Sequence, residues 1–228
     1  MVGPIDFVVM EDEPLHLECF SAKDLAGDPR WWEIYCDSFP AEERESAETI
    51  MRGLEHGVAL VSRISLRGET VGLASAHLLM RVGIVFLVYL AIAPEVRRHG
   101  LGTKLFEFMW KSAFDRMGFG GSPRGMIWEV DPPGTAASAA EARWRRQRIQ
   151  FFQRRGGTLL PRQYIQPPIS GVPVPMQLMF RGAAALPMPD NIALRRIVEA
   201  MYFDKYGALN GIPADILRKL LWDDISYS

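Results

Sequence analysis

The sequence predicts an α/β (α+β) protein: a central mixed, mostly antiparallel sheet flanked by helices, with a helical C-terminal extension. Three observations predict it. Residues 58–92 hold three strand-like runs separated by short turns, which is an antiparallel meander. The last of these runs passes through a glycine loop directly into a helical pattern, with Leu101, Leu105, Phe108 and Met109 spaced by three and four. Beyond Gly182 only helix-period patterns remain, so residues 1–181 are expected to form the sheet-based domain and residues 182–228 a helical extension packed on it.

Phe7–Met10 and Leu15–Phe20 are short strand candidates, and Ser21-Ala-Lys-Asp24 caps a helix start. Trp31, Trp32, Ile34 and Tyr35 fall on a helix that Pro40 interrupts. A second helix is expected over Glu43–Glu55, with Gly57 as its stop. Val58–Ser65 is a strand, Arg67-Gly68-Glu69 a hairpin turn, and Thr70–Met80 the next strand. Val85–Ile92 is an almost unbroken β-branched and aromatic run, the pattern of a strand buried on both faces. Pro94 stops it. The helix after the glycine loop runs to about Met117, where Gly118, Gly120 and Gly121 end it. Met126–Val130 is a short strand broken by Asp131-Pro-Pro-Gly134. Ala136–Arg155 is a long helix closed by Gly156-Gly157, and Thr158–Ile165 and Pro173–Phe180 are two closing strands. In the extension, Leu194, Ile197, Val198 and Met201 give one apolar helical face ending near Gly207. Pro213 opens a further helix carrying Ile216, Leu217, Leu220 and Leu221. These helices are expected to pack on the core, with a lid or a dimer contact as the functional alternatives.

Composition narrows the function classes. The chain has 228 residues, 48% hydrophobic and 23% charged with a net charge of −1, enough for one sizeable core. That charge weighs against a dedicated nucleic-acid binder. The longest apolar run, Gly83–Ala93, is too short to cross a bilayer. The acidic N-terminus (Asp6, Glu11, Asp12, Glu13) does not read as a secretory signal, so a cytoplasmic location is expected. Cys19 and Cys36 read as reduced thiols, and His16, His56, His77 and His99 lack metal-ligand spacing, so no metal is expected.

The glycine loop is the candidate ligand site. A helix start leaves about four amides without intrahelical partners, and the helix dipole adds positive charge there. Gly100 and Gly102 let a ligand approach the backbone closely, and Arg97 and Arg98 supply charge, which suits a phosphate or pyrophosphate. Neither the three glycines of a dinucleotide loop nor the Gly-Lys-Ser/Thr of a Walker loop is present.

Arg97-x-x-Gly100-x-Gly102 after a hydrophobic strand resembles the acetyl-CoA signature of the GNAT N-acetyltransferase superfamily, Arg/Gln-x-x-Gly-x-Gly/Ala. The element order over Leu15–Phe180 resembles that fold as well. The resemblance implies an acyl-CoA N-acyltransferase with acetyl-CoA as cosubstrate. Its pyrophosphate would lie at Arg97, Arg98, His99, Gly100, Leu101, Gly102 and Thr103, with His99 contributing its backbone. Its pantetheine arm would pair with the backbone of Leu90, Ala91 and Ile92 where two strands splay, as in strand addition. The acceptor would be a primary amine on a small molecule or peptide, attacking the thioester directly in a ternary complex. Family members often pair into homodimers.

Catalysis needs a base to take the amine proton. Glu129, an acid within an otherwise apolar strand beside the expected splay, is the candidate, with a paired structural carboxylate as the alternative. Many members carry Tyr-x-x-x-Gly-Phe at the long helix's end, where the tyrosine protonates the leaving thiolate. Here Phe152 and Gly157 replace the tyrosine and the phenylalanine. Tyr164 and Tyr89 are then candidate acids, and a non-catalytic acyl-CoA-binding or sensing module is the alternative function. Arg143, Arg145, Arg146, Arg148, Arg154 and Arg155 make the long helix basic. The expectation is solvated or paired arginines, with a nucleic-acid surface or a reach to the CoA phosphates as alternatives. Glu42, Glu43, Arg44 and Glu45 lie where the resemblance implies an acceptor-contacting loop; an acidic lip there would suit a cationic amine, with a solvated charged loop as the alternative.

Overall fold

A computed structural model describes residues 14–117, 124–169, 171–183 and 186–223. The strands are Leu15–Cys19 (β1), Ala59–Leu66 (β2), Glu69–Leu79 (β3), Ile84–Ile92 (β4), Gly125–Val130 (β5), Thr158–Gln166 (β6) and Val174–Gly182 (β7). The helices are Ala22–Ala26 (α1), Pro29–Ser38 (α2), Ala47–Glu55 (α3), Leu101–Met117 (α4), Ala139–Gln153 (α5), Asn191–Ala200 (α6) and Ala214–Asp223 (α7), with a π-helical turn at Met201–Gly207 after α6. The expected Phe7–Met10 strand and the Gly118–Gly121 helix stop lie outside the described residues.

The strands form one sheet in the order β1-β2-β3-β4-β5-β7-β6. Only the β4–β5 pair is parallel. The meander follows from its turns. Arg67 and Gly68 both take positive φ (52° and 82°), the conformation that joins two strands with their natural twist.

Both faces of the sheet are covered, which is why β4 reads as a nearly continuous apolar run rather than an alternating one. On one face α2, α4 and α5 bring Trp31, Leu105, Phe106, Met109, Ile149 and Phe152 onto Val85, Leu87 and Trp128. On the other, Ile197, Val198, Met201, Tyr202, Tyr206 and Leu217 of the extension cover Phe86, Ile127, Leu178 and Phe180. Burying a side chain such as Phe86 or Ile127 contributes about 1.5–3 kcal/mol, so the extension supplies a share of the core. Among the described residues no helix is long and apolar enough to cross a membrane.

Several boundaries differ from the sequence reading, each for a local reason. The helix expected from Glu43 begins at Ala47, because Ser46 caps it by accepting from the Thr49 amide at 3.1 Å. Ala41–Glu43 is a separate 3₁₀ turn. The helix expected from Ala136 begins at Ala139, where Ser138 accepts from the Glu141 amide. Ile216 was expected on the apolar face of α7, but it is 38% exposed while Leu217, Leu220 and Leu221 pack inward.

His77 on β3 is the one buried histidine among the described residues. Burial pushes its pKa from 6.5 down to about 3, and the Lys205 charge acts in the same direction. The unfolded chain therefore takes up this proton at a higher pH than the folded one. Stability from the neutral imidazole is full above about 6.5 and is lost as the pH falls toward 3. The urea midpoint of the wild type should fall more steeply below pH 6.5 than that of His77→Leu. Parallel curves would count against this account.

Candidate functional site

The parallel pairing of β4 with β5 runs only from Ile84↔Gly125 to Leu87↔Trp128. The cause lies in β4. Its register against β3 passes from Ala76↔Leu87 to Ser75↔Tyr89, which leaves Val88 as an extra residue. Such a bulge bends its strand. Beyond it, β4 follows β3 to Ile92, while β5 follows β7 through Glu129↔Leu178 and Val130↔Gln177. The two strands splay, and the inner backbone edge of Leu90–Ile92 has no strand beside it. A groove of 300 Å³ opens there, bringing Leu90, Ala91, Ile92, Arg97 and Gly102 against Arg148, Phe151 and Phe152 of α5.

The glycine loop lies at the end of this groove. A 3₁₀ turn at Pro94–Val96 ends β4, and Arg97 folds back so that its Nε donates to the Ile92 carbonyl at 2.9 Å. Gly100 has φ 76°, a left-handed conformation that glycine adopts at no steric cost; Arg98 adopts it too, at 73°. The Gly100 carbonyl accepts from the Thr103 and Lys104 amides at 3.0 and 3.2 Å, which starts α4. The amides of Leu101 and Gly102 then have no carbonyl within the helix to donate to. Leu101 is buried and anchors the loop, while Arg97, Arg98, His99 and Gly100 are exposed. A Cβ on Gly102 would touch Phe151 and Ile92 at 3.5 and 3.6 Å, ordinary contact that fits the Gly/Ala choice there. Arg155, near the end of α5, donates to the Thr103 hydroxyl and stacks on Phe151 at 3.6 Å. One arginine of the basic helix thus reaches the loop. Arg145 instead donates to the Pro132 carbonyl and pairs with Glu141, and Arg148 lies beside Asp131.

Glu129 is the first residue of β5 past its last pair with β4. It keeps part of its surface accessible although protein surrounds it. Its carboxylate accepts from Gln166 Nε2 at 2.7 Å and from the Tyr206 hydroxyl at 2.9 and 3.1 Å, one distance to each oxygen. Burial pushes its pKa up, opposed by the nearby Tyr164 hydroxyl, the Tyr206 and Gln166 hydrogen bonds and the Lys205 charge. Tyr164 is buried beside it, close enough to feel that charge, but its hydroxyl closes no hydrogen bond. Burial raises the Tyr164 pKa, so it stays protonated. Around the same gap, burial and the Asp131 charge raise the Glu43 pKa, with Arg148 opposing.

Some candidates move elsewhere. Tyr89 donates to the Glu43 carbonyl at 2.9 Å and accepts from the Glu45 amide at 3.0 Å, so its hydroxyl clamps the 43–45 loop. Glu45 leaves the expected acidic lip; it is buried against Lys205, with Asn210 Nδ2 donating to it at 2.7 Å. Phe152 packs on Trp128 and Phe106, with ring centroids 4.8 and 5.5 Å away, and carries no group that could donate a proton. The replacement of phenylalanine by Gly157 has a steric cause, since any Cβ there would come within 2.7 Å of the Trp128 ring. Sequence reasoning did not select Gln166, Tyr206 and Lys205. The available signal was a lysine and two tyrosines, Tyr202 and Tyr206, following the apolar helical face of Leu194, Ile197, Val198 and Met201 in the extension.

Comparison with known proteins places this geometry. No curated protein matches the chain in sequence. The sequence profile of the acetyltransferase (GNAT) family matches residues 29–156. Among solved structures, a protein assigned to the GNAT family from Bacteroides thetaiotaomicron is 21% identical with a TM-score of 0.65, over 85% of this chain and 99% of that one. An aminoglycoside 6'-N-acetyltransferase solved with coenzyme A is 17% identical with a TM-score of 0.55, over 77% of this chain and 99% of its own. A Salmonella typhimurium protein solved with its cofactor acetyl-CoA is 17% identical with a TM-score of 0.54, over 78% and 99%. At these identities the structures establish the fold, and the family profile covers more than half of the chain, including the splay, the glycine loop and α5. The chain therefore belongs to the acetyltransferase (GNAT) family and is an acyltransferase.

Proposed function

We propose that the protein transfers an acetyl group from acetyl-CoA to a primary amine, by direct attack in a ternary complex, with Glu129 as the base. The observation that carries this reading is the position of Glu129 at the point where β4 and β5 part, near enough to Arg148 of the groove wall for their charges to interact. Acetyl-CoA supplies the activated acyl group. The residues present fit it. The exposed strand edge at Leu90, Ala91 and Ile92 suits the amide-bearing pantetheine arm. The loop at Arg97–Thr103, with Arg155 beside it, suits the pyrophosphate.

Glu129 takes the proton as the amine nitrogen bonds to the acyl carbon and the carbon–sulfur bond breaks. Its raised pKa makes it a stronger base than an exposed glutamate. Tyr164 stays protonated beside it and is the candidate acid in place of Phe152, which carries no proton to donate. A thiolate is also a good enough leaving group to depart without a strong acid, since thiol pKa values lie near about 8.5. Neither cysteine lines the groove, which favours direct attack over an acetyl-enzyme. Glu43 and Asp131 near the same gap favour a cationic amine, on a small molecule or a peptide.

The test is calorimetric titration of acetyl-CoA and CoA into the wild type and Gly102→Trp, followed by a thiol-release assay on a polyamine, an aminoglycoside and peptides with free N-termini. The indole of Gly102→Trp would fill the groove beside Phe151 and Ile92. We expect tight binding to the wild type and none to the folded variant. Absence of binding to the wild type would overturn the proposal, and binding without release from any amine would remove the transfer step.

A further inference from the structure

The C-terminal extension reaches the Glu129 site, and it does so through a rare backbone form. α6 does not continue as an α-helix to Gly207; it passes into a π-helical turn at Met201–Gly207. Such turns are uncommon and occur often at functional sites. This one lies beyond the stretch matched by the family profile, which ends at residue 156. It carries Lys205 and Tyr206, and both are buried. Tyr206 donates to both oxygens of Glu129. Lys205 donates to Glu45 and to the Asn210 side-chain oxygen, which fixes the turn against the loop ahead of α3. The Tyr206 ring packs against Phe86 of β4, 6.1 Å between centroids, so its position is set by the strand that lines the gap.

We propose that Tyr206 is a positioning residue for the Glu129 carboxylate, delivered by the π-helical turn of the C-terminal extension. This rests on the reading of Glu129 as the base. A carboxylate at the end of a freely rotating side chain would spend little time aimed at an amine. Two donors from two elements, Tyr206 and Gln166 of β6, hold it in one orientation. The groups facing Glu129 are Tyr164 and Gln166 from β6, Tyr206 and Lys205 from the π-helical turn, and Arg148 from α5, with Glu45 acting on Tyr206 from across the turn. Burial raises the Tyr206 pKa well above that of free tyrosine, so the hydroxyl remains a donor at any pH at which the enzyme works. Each hydrogen bond it makes favours the ionised form of Glu129.

The test uses the full chain and needs no knowledge of the acceptor. Glutamate labelled with ¹³C at the side-chain carboxyl is titrated by NMR in the wild type and in Tyr206→Phe, with Glu129→Gln assigning the resonance. Tyr206→Phe keeps the buried ring and removes only the hydroxyl, and its fold is checked by its melting temperature. We expect the Glu129 titration to move to higher pH in Tyr206→Phe. As a second measurement, ring-labelled Tyr206 should shift in Glu129→Gln, which changes nothing in the tyrosine itself. With an amine that is turned over, Tyr206→Phe should lose up to about 100-fold in kcat at unchanged KM for acetyl-CoA, with its acidic limb displaced upward. A Glu129 titration that stays in place, together with an unmoved Tyr206 resonance, would overturn the positioning role. Full activity of Glu129→Gln would instead overturn the base assignment, an outcome distinct from the first.

Discussion

Glu129→Gln is expected to lower kcat by about 10²- to 10⁴-fold, the usual contribution of a general base, while leaving acetyl-CoA affinity unchanged. The affinity should hold because the hydrogen-bond partners of Glu129 are Gln166 and Tyr206, and neither belongs to the glycine loop. The substitution preserves volume and still accepts from Tyr206, so the variant should fold. The pH dependence gives a second, independent readout. Because burial raises its pKa, Glu129 loses its charge at a higher pH than an ordinary glutamate. The wild-type kcat/KM should therefore fall as the pH drops through that raised value, since protonation removes the base. Glu129→Gln should lack this limb and run at a low, flat rate. Steady-state rates across pH for both proteins check the prediction, and a retained acidic limb in the variant would assign the limb to another group.

Lys205→Met is expected to destabilise the fold by about 3–5 kcal/mol, the cost of leaving a buried charge without its partner. Lys205 and Glu45 have side chains only 2% and 5% exposed, so Glu45 would have little water to take the ammonium's place. Asn210 would lose a donor to its side-chain oxygen as well. The double variant Lys205→Met, Glu45→Leu should recover much of the loss, because removing both charges removes the unpaired one. Urea unfolding of the three proteins measures this. Near-wild-type stability of Lys205→Met would mean that the pair does not hold the π-helical turn in place. If the turn loosens without unfolding, Tyr206 should lose its hold on Glu129, and activity should fall further than stability at the assay temperature explains.

Much of the architecture was legible because its causes are local. The capped start at Ser21, the positive-φ turn at Arg67-Gly68 and the glycine loop at Gly100 all depend on a few neighbouring residues, and each formed where expected. Leu90, Ala91, Ile92, Arg97 and Gly102 were expected to share a ligand site, and the bulge at Val88 brings them to one groove. Errors at the starts of α3 and α5 were also local. Ser46 and Ser138 compete with earlier helix-compatible residues, and the capping hydrogen bond decides.

The sequence by itself determined the strand and helix order, the glycine loop at a helix start and the isolated acid in β5, because each is a matter of short-range sterics and periodicity. Only the tertiary structure decided what surrounds that acid. Tyr206 lies 77 residues from Glu129 along the chain, Gln166 lies 37, and Lys205 lies 160 from Glu45. An apolar period of 3.6 also fits Leu194 to Met201 whether or not a π-helical turn follows. That turn is held by contacts with the sheet and with Glu45, and a local pattern carries no record of partners that only packing brings together.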